Sequence, residues 1–278
     1  MTVTRHTSAE EFLSIAQPML MMAEAENNLL LGVAQGIARN PGSVKNPYMA
    51  TGATPAGVQT CGVHVSPYKL VITRANHEPI VALATDVFAA IPELHGVTGP
   101  SRSAGDFALA WSKLSGRDAT LAMRLRIHET RRIVDSDRPS PPGSLRQATP
   151  ADRDVLSAWT EIFVRDANIP EPVDVSKVIG DAIDRGRLYV WDDGRPVSMA
   201  AWTGKTPNGV RINFVYTPRE LRGRGYGTAC VKALTQRQLE QGNDFCWLYT
   251  DLSSNAARNV FKRIGYRPVS DVAEYSFS

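Results

Sequence analysis

Three observations predict an α/β protein built as two successive mixed units. Residues 144–278 alternate helical periodicity with short apolar runs. The stretch "DSDRPSPPGS" at 135–144 holds three prolines, a glycine and little apolar content, so it can carry neither a core helix nor a core strand. The order of elements on either side of it is the same: helices, hairpin, helix, strand, helix, strand. No exact repeat relates the halves, so the shared order predicts a degenerate duplication. The expected boundaries are a first domain over 1–134, a linker over 135–143 and a second domain over 144–278.

The second half is the more legible. "SLRQAT", from Ser144, reads as a short strand. Thr149 is the expected N-cap of the next helix, with Pro150 at its first position and Asp152 in its first turn. Val155, Leu156, Trp159, Ile162 and Phe163 then recur at helical spacing. A second helix is expected over 178–185. Two apolar runs flank Asp193-Gly194, a hairpin signal. "VRINFVYT", introduced by the turn sequence "PNG", is another strand. A helix over 226–241, closed by Gly242, leads to the aromatic-rich strand "DFCWLYTDL". A helix over 255–264, stopped by Gly265, and one or two closing strands complete the chain.

In the first half a helix is expected over 9–39, broken near Pro18. Short strands follow in "GVQTCGVHV" and "KLVITRA", then helices over 80–90 and 104–115, then a long strand in "TLAMRLRIHETRRI". "GVTGPSRSAGDF" places Gly96, Gly99 and Gly105 before a helix, with loose spacing and no arginine among them at the place a phosphate loop would use. It reads as structural filling or as a wall of a substrate pocket.

Composition bounds the function classes. With 43% hydrophobic and 21% charged residues the chain is globular. A net charge of +3, with acidic residues interspersed among basic ones, lacks the concentrated basic face of a nucleic-acid binder. Cys61, Cys230 and Cys246 are odd in number and share no CxxC spacing, so they read as reduced buried thiols, with no metal site expected. The start "MTVTRHTSAEEFLS" lacks the apolar core of a signal peptide. The most apolar region, 19–37, is interrupted by Glu24, Glu26, Asn27 and Asn28, too polar for a membrane span. These features predict a cytoplasmic protein with no membrane partner, and they leave its oligomeric state unassigned.

The chemistry is concentrated in "FVYTPRELRGRGYGTAC", residues 214–230. Gly223, Gly225 and Gly227 alternate with Arg222 and Arg224 and with Tyr226, between an apolar strand and a helix. The first amides of a helix have no internal partner and lie at the positive end of its dipole, so they favour an anion. Glycine there removes the β-carbon that would hold a phosphate away, and arginine adds charge-assisted contacts. The P-loop form requires lysine followed by Ser or Thr after its last glycine, whereas Gly227 is followed by Thr228 and Ala229. The dinucleotide form requires a third glycine where Cys230 stands.

With those spacings set aside, "VYTPRELRGRGYGTACVKAL" resembles the acetyl-CoA motif [RQ]-x-x-G-x-[GA] of the GNAT superfamily of N-acyltransferases, with Arg222, Gly225 and Gly227 in its defined places. "FCWLYTDLSSNAARNVFKRIGYRPV" resembles the second motif of that family, in which a helix ends in Gly-Phe or Gly-Tyr. "VYTP" and "IGYRPV" further resemble a bacterial subgroup whose N-terminal half is itself a degenerate GNAT-like domain.

The resemblance implies tandem GNAT-like domains, each a mixed, mostly antiparallel sheet flanked by helices. It implies acetyl-CoA as co-substrate and a primary amine as acceptor, on a small molecule, peptide or protein. Backbone groups of Phe214, Val215 and Tyr216 would pair with the pantetheine arm like an added strand. Amides of Gly223, Arg224, Gly225, Tyr226, Gly227 and Thr228 would hold the pyrophosphate. The chain departs from the family at two places: Phe261 stands where the family has a tyrosine near the sulfur, and Ser254 where it has a cofactor-contacting asparagine. Asn255 is the expected substitute contact. Asp251, at the end of the second-motif strand, is the candidate proton acceptor, and a water relay is the alternative. All five histidines precede the linker, so none is expected at the site. Loss of the tyrosine keeps a second reading open, a non-catalytic acyl-CoA-binding or sensor protein.

Overall fold

A computed structural model describes residues 1–134, 139–167, 174–252 and 260–278. In chain order the elements begin with β1 (Thr2–Arg5), α1 (Ala9–Met21), α2 (Asn28–Arg39), β2 (Tyr48–Thr54), β3 (Gly57–His64) and β4 (Leu70–Ile72). Next come α3 (His77–Ala90), β5 (Gly96–Pro100), α4 (Ser101–Ser115) and β6 (Ala119–Thr130). Beyond the linker lie β7 (Ser144–Gln147), α5 (Arg153–Asp166), α6 (Val175–Asp184), β8 (Leu188–Asp192) and β9 (Pro196–Lys205). They are followed by β10 (Gly209–Tyr216), α7 (Tyr226–Glu240), β11 (Phe245–Asp251) and β12 (Arg267–Phe277). The fold class is the mixed α/β one expected. Among the described residues no helix is long and apolar enough to cross a membrane.

The chain forms two compact units, one of residues 1–127 with 269–278, the other of residues 128–268. The sequence reading assigned 269–278 to the second domain; these residues instead complete the first sheet. Val272–Ser276 of β12 run antiparallel to Gly96–Pro100 of β5. The carbonyl of Tyr275 passes so close that a Cβ on Gly96 would stand 2.2 Å from it, which is why β5 opens on glycine. Arg117 binds the carbonyl of Phe277, and Lys69 pairs with Glu274 at 3.0 Å.

In the first unit β1, β2, β3 and β4 pair antiparallel in succession, and β4 pairs parallel with β5. A parallel pair needs a crossover, which α3 supplies. Gly99 sits in β5 where a Cβ would meet Ile72 at 2.7 Å, so Gly96 and Gly99 serve strand packing, whereas Gly105 lies within α4. Pro18 does not break the first helix. It lies exposed inside α1, where water can satisfy the carbonyl it leaves unpaired. The chain breaks instead after Met21, where the buried Asn27 amide donates to the carbonyl of Leu20 at 3.0 Å and the Asn28 amide donates to Ala25 at 2.7 Å.

The second unit repeats the scheme with β7, β8, β9 and β10 antiparallel in succession and β10 parallel to β11. Here α7 makes the crossover. Thr149, the expected N-cap, forms a capping box with Asp152 at a 3-10 turn over Pro150–Asp152 ahead of α5. Asp152 also receives both ends of the Arg146 guanidinium, at 2.7 and 2.9 Å. One face of this sheet packs Val210, Ile212, Cys246 and Leu248 against Cys230, Val231 and Leu234 of α7. The other face packs Met199, Ala201 and Tyr216 against Leu156, Ile179 and Ile183 of α5 and α6.

Candidate functional site

The site in the second unit begins with the way β10 leaves its neighbours. Its pairing with β11 runs Gly209–Phe245, Val210–Cys246 and Arg211–Trp247, and ends there although both strands continue. Against β9 its register shifts between Asn213, opposite Ala201, and Tyr216, opposite Met199, so β10 carries one extra residue. Phe214 takes up this bulge with φ 49°, a left-handed backbone uncommon outside glycine. Its ring is fixed against Phe163 of α5, with centroids 5.8 Å apart. A bulge bends a strand and increases its twist. The result is a parting of β10 and β11 beyond Arg211. Among the described residues the rungs that β10 shares with β11 do not include Phe214, Val215 or Tyr216, while Tyr216 stays paired with Met199 of β9.

The glycine stretch follows. After a 3-10 turn over Arg219–Leu221, Gly223 has φ 80° and Gly225, the N-cap of α7, has φ 89°. Both are backbone conformations that a side chain would strain. The backbone bond that opens α7 runs from the Ala229 amide to the Gly225 carbonyl. The amides of Gly223, Arg224, Gly225, Tyr226, Gly227 and Thr228 therefore find no backbone acceptor among the described residues, and no side chain caps the helix. This row of N–H groups at a helix N-terminus is a cradle that a Cβ at Gly223 or Gly225 would disturb. The donor set fits a pyrophosphate.

The two arginines differ. Arg222 is tied down: its Nε donates to the carbonyl of Thr217 at 2.9 Å, and its guanidinium lies 5.7 Å from the centre of the Tyr216 ring. It holds the turn between β10 and α7. Arg224 is exposed at the mouth of the loop. Tyr226 is buried and donates to Asp193 at 2.8 Å, and that bond raises its phenol pKa. Gly227 is required for packing, since a Cβ there would meet Thr217 Oγ1 at 2.8 Å. Pro141, from the end of the linker, stands 3.7 Å from where a Cβ on Gly225 would be.

The remaining candidates separate into site and core. Phe261 is 7% exposed and packs edge-on to Tyr266, whose hydroxyl pairs with Thr235 at 2.8 Å; both belong to the α7-side core. Burial pushes the Tyr266 phenol far up and each of the Cys61, Cys230 and Cys246 thiols up to about 12, so all four keep their protons at neutral pH and the thiols are poor nucleophiles. Asp251 ends β11 and is exposed. Ser254 and Asn255 lie outside the described residues, as does the first half of the helix expected over 255–264. Among the described residues no cluster of His, Cys, Asp or Glu could hold a metal ion.

Two features escaped the sequence. His128 belongs to the second unit, with Nδ1 3.5 Å from Thr250 Oγ1 beside Asp251, although the reading by linker placed every histidine in the first half. Its position at the end of a long strand crossing the boundary leaves no local signal. The second is a cavity of about 820 Å³ on the α6 side of the sheet, lined by Arg153, Asp174, Lys177, Asp181, Thr203 and Phe214 among others.

The bulged β10, its parting from β11 and the amide row belong to a fold shared with solved structures of GNAT-family acetyltransferases, a tandem GNAT protein among them. The FR47-like protein family matches residues 191–275, from the end of β8 through the glycine stretch into β12. Solved structures similar to this chain include a GCN5-related N-acetyltransferase from Sphaerobacter thermophilus, at 15% identity, 99% of this chain, 94% of that chain and a TM-score of 0.62. An acetyltransferase from the GNAT family from Colwellia psychrerythraea has 13% identity, complete coverage of both chains (100% each) and a TM-score of 0.59. A tandem GNAT protein from the clavulanic acid biosynthesis pathway has 12% identity, 99% and 97% coverage and a TM-score of 0.54. No curated protein matches the sequence at a significant level.

Proposed function

We propose that the second unit binds acetyl-CoA and transfers its acetyl group to a primary amine by direct attack. The observation that carries this reading is the end of β10–β11 pairing at Arg211–Trp247, followed by the bulge at Phe214 and the unbonded amides from Gly223 to Thr228. Pantetheine would add as a strand beside Phe214, Val215 and Tyr216, and the pyrophosphate would sit on the amide row with Arg224 at its mouth. The thioester carbonyl would then lie in the opening between the strands. The ammonium first yields one proton to the acceptor group. Attack by the neutral amine then forms the C–N bond and breaks the C–S bond, and the nitrogen's second proton ends on the leaving thiolate, so CoA leaves as the thiol and the amide keeps one N–H. Much of the rate enhancement in such a step comes from holding the two reactants together. Asp251 is the proton acceptor in this reading. The working compartment is the cytoplasm, consistent with three thiols kept free and buried.

A second reading, acyl-CoA binding without turnover, is favoured by one observation: Phe261 supplies no hydroxyl for the leaving thiolate. Thiol release from acetyl-CoA, followed across a library of primary amines, separates the two. Amine-dependent release supports transfer. Binding of acetyl-CoA with no release by any amine supports the sensor.

A further inference from the structure

Among the described residues Arg211 is a cation without an acidic partner. It sits on the last paired rung of β10 and β11, opposite Trp247, at the point where the strands part. Its flanking residues Val210 and Ile212 face α7, so Arg211 lies on the opposite face, as does Trp247 between Cys246 and Leu248. Its guanidinium rests 4.7 Å from the centre of the Tyr249 ring. Arg211 Nε is buried with no hydrogen-bond partner, and so is Trp247 Nε1, in a side chain only 2% exposed. Neither residue forms an ion pair with an acidic group among the described residues. Two buried donors on one rung and one face, both unanswered, are costly unless a ligand answers them.

The surroundings indicate what that ligand is. Across β9, Arg211 pairs with Thr203, which together with Phe214 lines the 820 Å³ cavity. The donors therefore share a face with that cavity and stand next to the opening where the thioester would lie. A planar guanidinium that stays charged, joined by an indole N–H, matches the two oxygens of a carboxylate. Burial lowers the pKa of Arg211.

We propose that Arg211, with Trp247, is the carboxylate-binding pair of the acceptor site, and that the acceptor is an amine carrying a carboxylate, such as an amino acid or the C-terminus of a short peptide. This rests on the transfer reading above. Tyr249 holds the guanidinium in place by its ring, and the amine end of the acceptor points along the parted strands toward the thioester.

The test uses the full chain and needs no turnover in its first arm. With CoA present, N-acetyl amino acids and their matching amides are compared for the rise in melting temperature they cause. The expected result is that the acids bind roughly 10- to 100-fold more tightly than the amides, the range for a hydrogen bond to a charged group. Arg211→Met should abolish the difference and Arg211→Lys should keep part of it, while both retain the stabilisation by acetyl-CoA that shows the fold intact. Equal binding of acids and amides by the wild type, or an acid preference that survives Arg211→Met, overturns the proposal. In the second arm succinyl-CoA replaces acetyl-CoA. If Arg211→Met weakens succinyl-CoA and leaves the acids untouched, the anion belongs to the acyl group and the acceptor assignment is wrong. A protein that ignores acetyl-CoA altogether contradicts the transfer reading itself, a result distinct from these.

Discussion

A Cβ on Gly227 would stand 2.8 Å from Thr217 Oγ1, and that hydroxyl is itself held by Ser198 at 2.9 Å. The first turn of α7 is thus pressed onto the end of β10 through a polar pair that cannot retreat without losing its bond. Gly227→Ala should cost about 1–3 kcal/mol through overpacking. Gly225→Ala meets more space, with Pro141 at 3.7 Å, and should cost about 1 kcal/mol because of its φ of 89°. Urea denaturation of the two variants gives the ranking, with Gly227→Ala expected to be the less stable.

Restoring the family tyrosine should not restore chemistry by itself. Phe261 is packed on Tyr266 inside the α7-side core, so Phe261→Tyr brings in a hydroxyl with no ready partner. The expected cost is about 1–3 kcal/mol of stability, with no rise in kcat for thiol release. A gain in kcat at unchanged stability would show that this ring reaches the sulfur.

If Asp251 takes the proton, Asp251→Asn should lower kcat on the order of 100-fold while acetyl-CoA binding is retained. His128 is 4% exposed and lies beside Thr250, so His128→Gln should act on stability instead, leaving kcat within a few-fold. Parallel thiol-release and melting measurements on the two variants separate the roles. A large kcat loss in His128→Gln alone would transfer the role of base to the imidazole.

Asp152 gives a pH signature. The Arg146 guanidinium beside it and the Thr149 amide hold its carboxyl down to about 2. A carboxyl whose pKa is lowered on folding contributes stability that is present above its unfolded value, near 4, and is lost as the pH falls toward 2. Asp152→Asn should therefore unfold more easily than the wild type at pH 7 and at pH 5, with the gap closing between about pH 4 and pH 2. Urea midpoints at a series of pH values measure that gap.

The turn between β10 and α7 was legible because it is written in local backbone chemistry. Gly223 and Gly225 occupy left-handed positions, and the strand before them and helix after them follow from periodicity. The exchange of β12 into the first unit was illegible, because Val272–Ser276 read as a strand whichever sheet they join. The break of the first helix was misplaced because Pro18 announces a break loudly, while the buried amides of Asn27 and Asn28 act only through folded contacts. Arg211 stood in plain view in "VRINFVYT", yet its meaning depends on having no partner, which a sequence cannot display.

Acetyl-CoA binding by the full chain tests the reading of the second unit most directly. At a hundred times its dissociation constant, acetyl-CoA should raise the melting temperature on the order of 5 °C or more, because it binds the native state alone. ATP and NAD at the same concentration should leave it unchanged, and Gly225→Val should lose the shift. No shift with acetyl-CoA, or an equal shift with ATP, would contradict a CoA site on the Gly223–Thr228 amides.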